Sequence, residues 1–226
     1  MARKKTLKLK GIVEQLNVIE AFEKLQVNIS LASVDQKIQV IQLTSSLQDE
    51  GKTTAAVNLA YSYARKDKKV IVVDLDIRRP KVHRNFKQPN ENGIVDYAAG
   101  KIKIDQLIRH TDYNVDIILT GSKTPYPVKI LESEKLADLI AYLRERYEYI
   151  ILDTPPVASV VDPIIISKLS DGVLFVVEAD RTKKSIIKES IQQLENVNVN
   201  LIGLVLQSVK DRYSKYSYKY YYTDEN

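Results

Sequence analysis

No cysteine occurs in the chain, which removes disulfides, thiolate metal sites, cysteine nucleophiles and cysteine-ligated iron–sulfur clusters together. Long apolar runs are missing too: a membrane span needs ~18 residues. The stretch from Val173 to Val177 is only five long. The start, MARKKTLKLK, is basic like a secretion signal, yet GIVEQLNVIE stands where an apolar core should follow. These absences lead us to expect a cytoplasmic chain without a lipid anchor. Concentrated charge is also scarce. The net charge is +5, but the basic residues are dispersed apart from the N-terminal cluster and a weakly basic tail. That pattern suits a solvated surface, and no nucleic-acid partner is expected.

What is present suits one large domain: 226 residues, 44% hydrophobic and 28% charged, enough to bury a sizeable core. Short β-rich apolar runs at 39–44, 69–74, 115–121, 147–153, 172–178 and 200–207 alternate with helical spacing at 52–66, 130–146 and 183–196. A further helical stretch at 14–33 precedes the first strand. Most of the strands carry apolar residues at consecutive positions, as strands do when both faces of a parallel sheet are covered. The alternation implies βαβ units and an α/β, doubly wound, mostly parallel sheet. Ligands of such sheets sit at the carboxyl ends of the strands, so chemistry should cluster there. No internal repeat is visible.

Three strand ends carry chemical groups. The first runs TSSLQDEGKTT (44–54) into the helical AAVNLAYSYARK. Strand, loop, Gly-Lys-Thr-Thr and helix form the setting of a phosphate-binding loop. In it Lys52 adds a cation at the outer phosphates, and the Thr53 hydroxyl ligates Mg²⁺. The glycine that opens the usual motif is replaced by Ser46. The second strand ends VIVVDLDIRRP, with Asp74 and Asp76 on the same side of an extended chain. They read either as helix-capping carboxylates or as one acid near a metal and one near a hydroxyl to be deprotonated. Arg78 and Arg79 stand beside them. The fourth strand ends YIILDTPP, where Asp153 occupies the place of a magnesium-binding acid.

The segments LTSSLQDEGKTTAAVNLA, VIVVDLDIRRP and YIILDTPPVASVVD resemble the Walker A, A′ and B motifs of the bacterial tyrosine kinases, the BY-kinase family, in its Gram-positive cytosolic branch. The similarity runs from IEAFEKLQVNI at 19–29 to the last residue, and it implies a P-loop NTPase fold of the MinD/ParA-like type. It divides the chain into a kinase domain at 1–209, with a helical subunit-contact segment at 12–34, and a flexible tyrosine-rich tail at 210–226. It implies Mg²⁺ and ATP held by Gln48, Asp49, Glu50, Gly51, Lys52, Thr53 and Thr54, with Gln207 where the family's asparagine often contacts adenine. Lys52, Asp74, Asp76 and Asp153 are then the catalytic set. Asp74 becomes the base toward the tyrosine hydroxyl, and Thr53, Asp76 and Asp153 face the metal. A tyrosine of pKa ~10 is neutral at pH 7, so removing its proton as the phosphoryl group arrives is sensible chemistry.

The tail YSKYSYKYYYTDEN, residues 213–226, holds six of the chain's fourteen tyrosines. Composition alone allows a disordered end, a docking strand or a nucleic-acid-binding tail. The resemblance implies instead that Tyr213, Tyr216, Tyr218, Tyr220, Tyr221 and Tyr222 are autophosphorylated by a neighbouring subunit. It also implies a homo-oligomeric ring, a transmembrane activator whose cytosolic segment recruits the chain to the inner face of the membrane, a cognate phosphatase, and control of capsular or exopolysaccharide synthesis and export.

Beyond the mild change at Gln207, the chain departs from the pattern in two places. Gln48 and Asp49 replace the family's Pro-Gly, and Asp49 brings a negative charge beside the phosphates; Asp49→Gly is expected to tighten ATP binding. Glu23 and Gln26 replace two arginines of the subunit-contact helix, although Glu20, Ala21, Phe22 and Leu25 are kept. Competing readings are a ParA/MinD-like ATPase switch and a catalytically weakened nucleotide-binding regulator. His83 and His110 stand alone in sequence and are expected at the surface or at caps.

Overall fold

The computed structural model describes residues 2–32 and 37–208, residues 2–15 through their backbone alone. Helix α1 (Ala2–Ala32) leads into strand β1 (Val40–Ser45), α2 (Lys52–Ala64) and β2 (Val70–Asp74). Two short helices, α3 (Val82–Asn85) and α4 (Ile94–Ala98), and a 3₁₀ turn (Ile104–Gln106) lead to β3 (Val115–Ile118). Then come α5 (Pro127–Leu131), α6 (Glu134–Arg144), β4 (Tyr149–Asp153), α7 (Asp162–Ser167), β5 (Gly172–Glu178), α8 (Lys184–Glu195) and β6 (Leu201–Gln207).

The six strands form one parallel sheet in the order β3-β2-β4-β1-β5-β6. Successive side chains alternate between its faces, and each face has its own core. Ile41, Leu43, Val72, Ile151 and Leu174 pack with Ala55, Ala56, Leu59 and Ala60 of α2 and with Phe22 and Ile29 of α1. The opposite face places Ile71, Val73, Ile150 and Leu152 against Leu136, Leu139, Ile140 and Leu143 of α6. Val173, Phe175 and Val177 meet Leu194 of α8. Covering on both faces explains why β1 and β2 are buried at every position. The edge strand β6 is the exception: Leu204 and Leu206 are exposed, so consecutive apolar residues there do not signal a double cover.

Local chemistry accounts for the differences from the sequence expectation. The single helix expected over 130–146 is two, because Ser133 sits in extended backbone and its hydroxyl caps α6, accepting from the N–H of Leu136 at 3.3 Å. Strand β3 stops at Ile118, since the carbonyls of Leu119 and Thr120 accept from the N–H groups of Ile94 and Val95 at the start of α4. The first helix starts well before residue 14. Helices α3, α4 and α7 went unforeseen because four to six residues are too few for helical periodicity to register.

Parallel strands place all six carboxyl ends on one rim. Asp74 and Asp153 are register partners across β2 and β4, and Leu43 of β1 is the next neighbour of Asp153.

Candidate functional site

The loop between β1 and α2 forms a hollow. Asp49 and Gly51 have left-handed backbone, with φ of 63° and 83°, whereas Glu50 between them does not. Alternating hand turns successive N–H groups toward one side, a concavity suited to anions. Among the described residues, the N–H groups of Asp49, Glu50 and Gly51 meet no protein acceptor. The unpaired N–H groups of the first turn of α2 add to them. Gly51 is required twice over. Its φ disfavours a side chain, and a Cβ there would lie 3.2 Å from Cγ of Gln207 at the end of β6.

Around the hollow lie the charged groups. The Lys52 ammonium is 3.5 Å from Asp76 Oδ2, and both side chains are buried. Thr53 Oγ1 donates to Asp153 Oδ2 at 2.7 Å. Asp153 Oδ1 is buried with no partner among the described residues. Burial pushes the Asp153 carboxyl up to about 6, against the opposing pull of the Lys52 charge and the Thr53 hydroxyl. Asp74 is sealed from solvent, and its Oδ1 accepts from Asp76 N at 3.2 Å. Its Oδ2 accepts from the N–H groups of Lys81 and Val82 at 3.2 and 3.1 Å, where α3 begins. Burial, reinforced by the Asp153 charge, holds the Asp74 carboxyl well above the usual carboxylate range.

This donor set fits a hard cation. An orphaned carboxylate oxygen and an adjacent hydroxyl are what Mg²⁺ takes from a protein when phosphates and water complete its shell. Among the described residues no group of three or more His, Asp or Glu forms a self-sufficient metal site.

The structure therefore brings together Lys52, Thr53, Asp74, Asp76 and Asp153, with Gln48, Asp49, Glu50, Gly51 and Gln207 around them. Thr54 faces outward on α2, where its carbonyl accepts from Asn58. Tyr213, Tyr216, Tyr218, Tyr220, Tyr221 and Tyr222 lie outside the described residues.

Arg78, Arg79 and Glu50 were singled out from the sequence; Lys81, Asp162, Arg181 and Thr182, which meet residues at the site, were not. Arg79 donates to the Gln48 side chain, and Lys81 pairs with the Asp49 carboxylate. Arg181 donates to the carbonyl of Asp49 at 2.6 Å and to that of Gln48 at 3.2 Å. Glu50 is fully buried and accepts from Leu47 N and from the Thr182 hydroxyl. Arg78 makes a two-pronged pair with buried Asp162, at 2.8 and 3.0 Å. Arg181 and Thr182 follow β5 almost directly, so the strand-end rule already pointed at them. His110 is exposed, yet its Nδ1 lies 2.7 Å from Asp116 Oδ1, a carboxylate that sequence spacing did not reveal. That pair is near the amino ends of the strands, away from the site.

Comparison with known proteins follows the same lines. The family model for an AAA domain matches residues 38–202. The chain is 31% identical over 209 residues to tyrosine-protein kinase YwqD of Bacillus subtilis, covering 92% of this chain and 87% of that one. It is 32% identical over 199 residues to tyrosine-protein kinase CpsD of Streptococcus pneumoniae, covering 87% of each. Against tyrosine-protein kinase etk of Escherichia coli it is 30% identical and spans 28% of that longer protein. Among solved structures, the chimerical protein CapA2B2 superposes with a TM-score of 0.79 at 32% identity, over 82% of both chains. MinD of Pyrococcus horikoshii, solved with Mg-ADP, shares the fold at a TM-score of 0.63 and 22% identity, over 74% of this chain and 69% of that one.

Proposed function

The chain belongs to the bacterial tyrosine kinase family, and from that premise we propose that it transfers the γ-phosphoryl group of ATP to tyrosine hydroxyls. Its acceptors are the tail tyrosines of a neighbouring subunit in a homo-oligomer. The observation that carries this reading is the Asp153 carboxylate, bonded to Thr53 through one oxygen and, among the described residues, left bare at the other. A structural aspartate in a sealed core keeps both oxygens occupied, since an unpaired buried oxygen is costly.

The left-handed loop presents its N–H groups to the outer phosphates, and the Lys52 ammonium exchanges Asp76 for a phosphate oxygen. Thr53, Asp76 and Asp153 hold Mg²⁺, which when bound neutralises charge on the triphosphate. Positioning and charge neutralisation then supply most of the rate. Asp74 accepts the phenolic proton. Its elevated pKa suits a base, and reaching it requires the turn at Lys81–Val82 to release its carboxylate. Bond by bond, the phenol oxygen joins the γ-phosphorus as the bridging oxygen leaves with ADP, and the phenolic proton passes to Asp74.

The setting we propose is control of capsular or exopolysaccharide synthesis. The chain is recruited to the membrane by the cytosolic segment of a transmembrane activator, and a phosphatase reverses the modification. No helix among the described residues is long and apolar enough to cross a membrane.

The test is to incubate the full chain with Mg-ATP, with and without the cytosolic segment of a candidate activator, and map phosphate by mass spectrometry. Phosphotyrosine at 213–222 that disappears in Lys52→Met is the expected outcome. Steady ATP hydrolysis without phosphotyrosine would replace this reading with an ATPase switch.

A further inference from the structure

The loop after β5 reaches across to the phosphate loop and holds it by its carbonyls. Arg181 places Nη1 2.6 Å from the carbonyl oxygen of Asp49 and Nη2 3.2 Å from that of Gln48. Nη1 also meets the Glu178 carboxylate at the end of β5, which anchors the guanidinium to the sheet. One residue on, the Thr182 hydroxyl donates to buried Glu50, whose other oxygen accepts from Leu47 N. Two adjacent residues of one loop thus grip the phosphate loop at Gln48, Asp49 and Glu50.

The consequence follows from peptide geometry. In a trans peptide the C=O and the next residue's N–H point to opposite sides. Drawing the carbonyls of Gln48 and Asp49 toward one guanidinium therefore turns the N–H groups of Asp49 and Glu50 the other way. Those are N–H groups that meet no acceptor among the described residues. Asp49 adopts φ 63°, a left-handed conformation that costs a non-glycine residue more than a glycine. Arg181 helps to hold it, because its planar fork aims fixed donors at both carbonyls where a lysine brings a mobile point charge.

We propose that Arg181 is a positioning residue for phosphate binding. It touches no phosphate itself and acts by fixing the two peptide groups that do, with Thr182 and Glu50 as a second brace. This inference rests on the nucleotide reading above.

The test compares the wild-type chain with Arg181→Met, which keeps the aliphatic stem, and Arg181→Lys. Titration calorimetry reads the Kd for Mg-ATP and Mg-ADP, and phosphorylation at saturating ATP reads kcat. Arg181→Met is expected to raise both Kd values about tenfold, the scale of losing a pair of charge-assisted hydrogen bonds. It should leave kcat within about twofold, and Arg181→Lys should recover part of the affinity. Unchanged Kd in a folded Arg181→Met protein overturns the proposal, as does a lost kcat at unchanged Kd. Should Arg181→Met fail to fold, Arg181→Lys alone decides: weakened nucleotide binding supports the inference and wild-type binding overturns it. A wild-type chain that binds no Mg-ATP overturns the nucleotide reading itself, and this inference with it.

Discussion

The ammonium of Lys81 is paired with the carboxylate of Asp49, joining two loops that are thirty-two residues apart in sequence. Asp49 stands in left-handed backbone, and its charge lies beside the anion hollow. Hydrogen bonding and the positive charge of Lys81 hold the Asp49 carboxyl below its usual range, so it is ionised at neutral pH and locally balanced. The concern raised by the sequence, an uncompensated negative charge next to phosphate, is met by a residue that sequence reading did not connect with it.

It follows that Asp49→Gly tightens Mg-ATP binding only modestly, by about threefold or less, because much of the repulsion is already offset by an exposed partner. Lys81→Met uncovers the carboxylate and weakens binding by a similar factor. Titration calorimetry at low and high salt checks both, and each effect should shrink as salt rises.

Asp153 sets a pH dependence on the nucleotide-free fold. Its folded-state pKa of about 6 lies above its ordinary value of 3.8, so proton binding favours the folded state. The stabilisation is complete below the ordinary value and disappears as pH rises through the folded one. Asp153→Asn is therefore expected to stabilise the nucleotide-free protein at pH 8, on the order of 1–3 kcal/mol, with the gain shrinking as pH falls toward 4. Urea unfolding at a series of pH values measures this. A gain that stays level across the series would contradict the account.

The rim of the sheet was legible in the sequence because it depends on position alone. Lys52, Asp76 and Asp153 each follow an apolar run, and parallel strands bring their ends together whatever happens elsewhere. Arg181 was not legible as a partner of Asp49: the two lie 132 residues apart, and no periodicity links a strand-end arginine to a carbonyl in another loop. Asp74 shows a different limit. Its placement followed from the strand, but two of its bonds, from the N–H groups of Lys81 and Val82, depend on a one-turn helix too short to leave a pattern.

Gly51→Ala separates the two demands on that glycine. The left-handed backbone costs roughly 1–2 kcal/mol for an alanine, and contact with Gln207 adds to it. Combining Gly51→Ala with Gln207→Ala removes the contact and keeps the backbone cost. Denaturant midpoints should rank wild type above the double variant and the double variant above Gly51→Ala. Equal midpoints for the single and double variants would show that Gln207 does not press on the loop.

The most direct measurement is a mixing experiment that asks whether this rim phosphorylates another chain's tail. A donor carrying phenylalanine at Tyr213, Tyr216, Tyr218, Tyr220, Tyr221 and Tyr222 keeps the whole site. An isotopically heavy acceptor keeps its tail tyrosines and carries Lys52→Met. With Mg-ATP present, mass spectrometry should find phosphotyrosine on the heavy tail, and none when Lys52→Met is introduced into the donor as well. A heavy tail that stays unmodified while the donor turns over ATP would contradict the account.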